Sequence, residues 1–399
     1  MIASARANYN KTFTPERYLA FQQAINETYG HTPPFRLAET PIFVPKLLQE
    51  RLIEACEEIS QTIYHPKFKE WSEGAFDGGD LKVPNEDEHT LFLQMDFGVC
   101  LDENGQAIPQ LIEVQGFPSL YFFQELLAKK FQEHFKIPDN YSCYFDGLDA
   151  ASYLDLLKKV IIGDSDPKHV VLLEIEPEKQ ATYIDFLCTE ACLGLKVLCI
   201  SDLKREGKKL YYFDENGAKI AVHKIFNRVI FDELLERNDL ERTFSFKEEV
   251  EVEWIGHPNW FYRISKYILP LLESKYAPQS FYLDQLDTYP TDLENYVLKP
   301  LFSFAGAGVN LHINADLLDA IPNKENYIIQ KKVKYEPVLE TVSRENAKCE
   351  IRMLMLWEKG QAKAKITNNL ARITKGEMVG VKYNKDKDWV GASVAFFES

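Results

Sequence analysis

QLIEVQGFPSL, residues 110–120, sets a carboxylate and an amide inside a stretch that otherwise reads as a buried strand running into a turn. Residues two apart on an extended chain project from the same face, so Glu113 and Gln115 point one way. An unpaired carboxylate in apolar surroundings is costly or is forced to protonate. Glu113 therefore needs something to face, and the identity of that partner decides what the rest of the chain is.

Working outward, the run TLFLQMDFGVCLD and the turn DENG at 102–105 make this stretch the second strand of a hairpin. The hairpin brings Asp96 near Glu113 and Gln115. Two carboxylates and an amide oxygen are hard ligands of the kind Mg²⁺ takes, with substrate phosphates filling its other positions.

Cations and glycines gather in the final third. Lys299 ends the strand of VLKP and is followed by FAGAGVN, where Gly306 and Gly308 let backbone N–H groups approach an anion. A glycine-containing hairpin with a solvated lysine would read the same way. Lys266 lies upstream on an expected helix. Arg352 sits between Ile351 and Met353 on an apolar strand, where it is either a site residue or the strand's solvent-facing member. YIIQKKVKYEPV reads as an apolar strand that becomes extended, as a nucleotide hinge would, or as a lysine-protected edge. Together these parts describe a Mg-ATP site.

Composition narrows the alternatives. The chain has 399 residues and a net charge of −15, which disfavours nucleic acid and anionic membrane as partners. No apolar run approaches the ~18 residues of a membrane span. The cysteines carry no CxxC pair, and MIASARANYNKTF lacks the apolar core of a signal peptide, so a reduced, cytoplasmic protein is expected. Cys188 and Cys192 read as two buried core thiols. Phosphate-loop, GxGxxG, HExxH and GxSxG motifs are absent from the sequence.

The chain divides into an N-terminal helical segment (1–90), expected to cap the site, and hairpin strands carrying the metal ligands (91–150). A small α/β region (151–240) and a nucleotide-binding region (241–399) follow. In the third part, SYLDLLKKVI, HVVLLEIE, QATYIDFLCTEACLG and KVLCISD alternate helix and strand. WFYRISKYILPLLESKY reads as helix and FAGAGVNLHI as a loop entering a strand.

The order of these parts resembles the circularly permuted ATP-grasp ligases of the glutathionylspermidine synthase and eukaryotic glutathione synthetase type. MDF at 95–97 with LIEVQ at 111–115, HPNWFYRISKYILPLL at 257–272, VLKPLFSFAGAGV at 297–309 and YIIQ at 327–330 carry the likeness, which spans residues 90–399. It implies an α/β (α+β) ATP-grasp fold, circularly permuted, with a small pre-ATP-grasp-type domain. Carried over, Asp96, Glu113 and Gln115 would hold Mg²⁺, and Lys266 and Lys299 would contact ATP phosphates. Ala305, Gly306, Ala307, Gly308 and Val309 would cover them, Gln330, Lys331, Lys332 and Val333 would line adenine, and Arg352 would steady the transferred phosphoryl group. The implied reaction joins a carboxylate to an amine through an acyl phosphate, with small molecules, a peptide or a polyamine as substrates. The chain departs from the pattern at Gln115, where the family has asparagine, and at Gln94, where it has arginine. A catalytically impaired nucleotide binder and an ATP-grasp phosphotransferase are the alternatives.

Overall fold

The hairpin strands Phe92–Leu101 and Ala107–Gln115 form one side of a five-stranded antiparallel sheet, continued by Lys348–Leu356, Lys365–Thr374 and Gly391–Ser393. The computed structural model describes residues 1–76, 81–303, 306–343, 345–376 and 387–398. Alternation gives the sheet two unlike faces. Leu93, Met95, Phe97, Ile351, Met353, Ala371 and Ile373 turn to the back, where they share a core with Leu48, Leu52, Ala55 and Ile59 of helix Lys46–Tyr64. The front face is apolar at one end, where Phe92, Leu354 and Leu356 meet Tyr121 in a second core. At the other end it carries Asp96, Glu350 and Arg352. Burying each large aliphatic side chain contributes about 1.5–3 kcal/mol. A one-residue slip would exchange those side chains for the charged ones, so the back face enforces the register.

Apolar residues recurring at three and four place helix Lys46–Tyr64 as expected, but it braces the sheet from behind rather than capping the charged face. Helix Pro15–Tyr29 starts with the Thr14 side chain accepting from the Arg17 N–H and stops at Gly30, whose φ is 63°. Its Phe21 and Ile25 join Phe131 of helix Tyr121–His134 in the front core.

The α/β alternation is as the sequence suggests. Strands Glu253–Ile255, Lys224–Asn227, Val170–Glu174 and Lys196–Cys199 form a parallel sheet in that order. Helix Tyr183–Leu193 ends at Gly194 in the left-handed region. A third sheet, Ser280–Tyr282, Tyr327–Lys331 and Tyr296–Pro300, is antiparallel and has its own small core of Leu298, Leu318 and Ile329.

Three local expectations change. The helix expected over 260–276 is interrupted: Asn259–Arg263 is helical, Ser265 is extended, and its hydroxyl caps a 3-10 helix, Lys266–Leu271, that contains Pro270. No strand forms over residues 309–313, where FAGAGVNLHI is expected to enter one; Asn310 alone bridges to Leu298. Cys188 is buried but Cys192, in the last turn of its helix, is exposed. No described helix is long and apolar enough to cross a membrane.

Candidate functional site

Strict alternation would put Leu111 and Glu113 on the same face, yet Leu111 lies in the back core while Glu113 stands opposite Asp96. The register jumps from Asp96↔Glu113 to Phe97↔Leu111, leaving Ile112 as an extra residue. This β-bulge turns Glu113 and Gln115 to the charged front face. It also frees the Ile112 carbonyl, which accepts a hydrogen bond from Lys299 Nζ at 2.9 Å.

Arg352 is the direct register partner of Asp96. Its Nη2 donates to one Asp96 oxygen at 2.6 Å, its Nε to the other, and its Nη1 to Gln94 Oε1 at 3.0 Å. It is 6% exposed, which decides between the two sequence readings of this arginine. On the next strand Arg372 donates to both Asp96 and Glu350, and the Tyr335 hydroxyl donates to the second Glu350 oxygen at 3.0 Å. Burial alone would raise the Asp96 pKa, but the two guanidiniums outweigh it and hold the carboxylate well below its usual range. For Glu350 burial wins and the pKa is raised, although Arg372 pulls it down.

Gly116 lets the Lys266 segment run along the hairpin edge. Its N–H donates to the Ile264 carbonyl at 2.9 Å, and a Cβ there would lie 2.6 Å from the Trp260 carbonyl oxygen. Lys266 Nζ then reaches 3.7 Å from Glu113 Oε2 and donates to the Ser303 carbonyl at 2.7 Å. Lys299 comes from the third sheet and donates to Gln330 Oε1 as well as to Ile112. Burial lowers its pKa to about 8, with Glu113 opposing and Lys266 reinforcing the shift. The Gln330 Nε2 is buried with no hydrogen-bond partner among the described residues.

Other sequence candidates are placed less centrally. Gly306, Ala307, Gly308 and Val309 follow the Lys299 strand as a turn, with Gly306 at φ 73° and Gly308 at φ 71°. A Cβ on Gly308 would come 2.7 Å from the Pro300 ring. Ala305 lies outside the described residues. Val333 and Tyr335 pass directly over Gly98, where an added Cβ would meet them at 2.9 and 2.7 Å. Lys331 is exposed, and Lys332 Nζ donates away from the cluster, to the Glu294 carbonyl at 2.6 Å. Glu350, Arg372 and Tyr335 were not singled out from sequence. Glu350 precedes Arg352 by two residues, so the period-two rule that pairs Glu113 with Gln115 would have found it.

No protein-family model matches the chain, and neither does any curated protein. Among solved structures, a glutathione synthetase-like effector from Globodera pallida in its apo form superimposes with a TM-score of 0.57, covering 96% of each chain at 11% identity. The chain has a glutathione synthetase-like fold. At that identity the likeness speaks for architecture alone.

Within this glutathione synthetase-like fold the side chains can be tested against the two groups the sequence suggests. For a nucleotide they fit: two lysine Nζ atoms converge beside Glu113, and the buried Gln330 amide, expected at the base, has a donor to spare. For Mg²⁺ they do not fit in this arrangement. Both Asp96 oxygens accept from guanidinium groups, and Gln115 turns its Nε2 to Glu113 Oε1 at 2.6 Å instead of offering its oxygen beside it. Among the described residues no group of three or more His, Cys, Asp and Glu is placed to hold a metal ion.

Proposed function

We propose that the chain is an ATP-dependent carboxylate–amine ligase of circularly permuted ATP-grasp architecture. The observation that supports it is the convergence of Lys266 and Lys299, from separate segments of the chain, on the bulged strand of Glu113. That strand pairs with the Asp96 strand, whose other neighbour carries Arg352.

ATP would supply the phosphoryl group that activates a carboxylate for attack by an amine. Such transfer needs positioning and charge neutralisation more than a protein nucleophile, and the chain offers cations accordingly. In this reading Lys266 and Lys299 bind phosphate oxygens, and Arg352, held rigid by Asp96, steadies the transferring group. Gly306 to Val309 cover the phosphates and exclude water. Gln330 to Val333 line the base, with the free Gln330 amide as a donor to it. The net charge of −15 favours a cationic amine such as a polyamine over an anionic one.

A second reading, nucleotide binding without turnover, draws on the full engagement of Asp96 by Arg352 and Arg372. One experiment separates them: ADP release from ATP, measured with a panel of acids and amines for wild type, Lys266→Ala and Lys299→Ala. Release that needs both an acid and an amine and is lost in both variants supports the ligase. ATP binding with no release for any pair supports the second reading.

A further inference from the structure

Asp96, Glu113 and Glu350 stand on neighbouring strands and face one site, yet each is already occupied. Asp96 accepts from Arg352 through both oxygens and from Arg372 through one of them. Glu350 accepts from Arg372 and from Tyr335, and Glu113 from Gln115. The backbone enforces these pairings, because Arg352↔Asp96 and Glu350↔Arg372 are register partners in the sheet. Mg²⁺ demands near-octahedral oxygen ligands and could enter only by displacing the guanidiniums, leaving them buried without counter-charge.

Arg372 is the outermost member of this network, with a side chain 27% exposed against 1% for Asp96. Its Nε is buried without a hydrogen-bond partner among the described residues. The cations Lys266, Lys299, Arg352 and Arg372 outnumber the carboxylates they surround, so the face stays positive with no metal present. A guanidinium also presents the planar donor fork that matches phosphate oxygens.

We propose that Arg372 takes the place of a divalent cation, so that this site binds nucleoside triphosphate or inorganic polyphosphate without Mg²⁺. The inference rests on the phosphate-binding half of the function proposed above. It makes the charge balance at the phosphates a property of the sheet itself, independent of free Mg²⁺.

The test is calorimetric titration of the full chain with a non-hydrolysable ATP analogue and with tripolyphosphate, each in EDTA and in excess Mg²⁺ at matched ionic strength. Wild type should bind both probes with dissociation constants equal within about threefold in the two conditions. Arg372→Met should weaken binding in EDTA by about tenfold, and Mg²⁺ should restore part of it through the Glu350 oxygen that the variant frees, Asp96 staying with Arg352. Wild-type binding that requires Mg²⁺ would overturn the inference and leave the phosphate site standing. Absence of binding in both conditions would overturn the phosphate site and the inference with it. If Arg372→Met does not fold, Arg372→Lys, which keeps the charge but not the fork, replaces it, and a variant that binds in EDTA as tightly as wild type would overturn the role given to Arg372.

Discussion

Asp96 and Arg352 are register partners on adjacent strands, and the guanidinium holds both oxygens of the carboxylate. Both side chains are buried, so neither charge has water to fall back on. The same carboxylate accepts a second guanidinium from Arg372 one strand further on. A sheet whose back face is largely apolar thus carries on its front a closed network of charge, and the two lysines meet at its edge.

Removing either half of the Asp96–Arg352 pair leaves the other uncompensated. Asp96→Asn and Arg352→Met should each destabilise the fold by roughly 3–5 kcal/mol. The double variant should lose less than the sum by about 0.5–3 kcal/mol. Urea unfolding of the four proteins measures this, and strict additivity would show that the pair is not coupled. The pH dependence has a defined sign. Burial opposes ionisation of Asp96, but Arg352 and Arg372 depress its folded pKa to about 2, from 3.8. Its contribution is therefore complete above 3.8 and is lost as pH falls towards 2, a component that Asp96→Asn lacks.

Lys299 should set a pH limit on phosphate binding. Burial lowers its pKa to about 8 from 10.5, so in the empty site the charge is lost as pH rises through 8. Affinity for a non-hydrolysable ATP analogue should fall over that range in wild type and vary less in Lys299→Met. The effect on stability runs the other way. Between 8 and 10.5 the unfolded chain binds the extra proton, so stability rises with pH in wild type, and Lys299→Met removes the rise. Titrations and urea melts across this range check both statements. A flat binding profile would show that Lys299 is not at the phosphates.

Two glycines should differ in a predictable order. A methyl on Gly116 meets the Trp260 carbonyl oxygen, a backbone atom that no rotamer change can move. Gly116→Ala should cost about 1–3 kcal/mol and, by displacing the Lys266 segment, weaken binding of the ATP analogue. A methyl on Gly98 meets the ends of Tyr335 and Val333, which can swing aside, so Gly98→Ala should cost less while breaking the Tyr335–Glu350 hydrogen bond. Thermal melts rank the two. The reverse order would mean that the Lys266 segment is free to shift along the hairpin edge.

The hairpin and the α/β alternation were legible because they depend on local periodicity and turn chemistry. So was the pairing of Asp96 with Glu113, although simple alternation by itself would have turned Glu113 to the back with Leu111. The Ile112 bulge that corrects this leaves no signature in the letters, since an extra residue in one strand shows only against its partner. Arg372 was given no role from sequence for a related reason. Its meaning comes from Asp96, two strands away and far earlier in the chain, and sequence spacing does not encode that juxtaposition. The break at Ser265 and Pro270 was hidden by an apolar spacing that also suits a continuous helix.

Glu174 offers a test of the fold that is independent of the phosphate site. It ends a fully buried parallel strand, and its Oε1 accepts from the Ile175 N–H at 2.8 Å. The neighbouring Arg228 is committed elsewhere, donating to Asp185 at 2.9 Å. Burial therefore dominates and raises the Glu174 pKa from 4.5 to about 8, with Ile175 and Arg228 countering only in part. Because the folded pKa lies above the unfolded one, the folded chain holds the extra proton between 4.5 and 8. Stability should decline as pH rises through that window. Glu174→Gln keeps the shape and removes the titration, so it should overtake wild type at about pH 9 by roughly 4 kcal/mol. Near pH 5 the two should be about equal. Urea unfolding at both pH values checks this, and a difference that stays constant with pH would mean that Glu174 is ionised in the folded protein throughout.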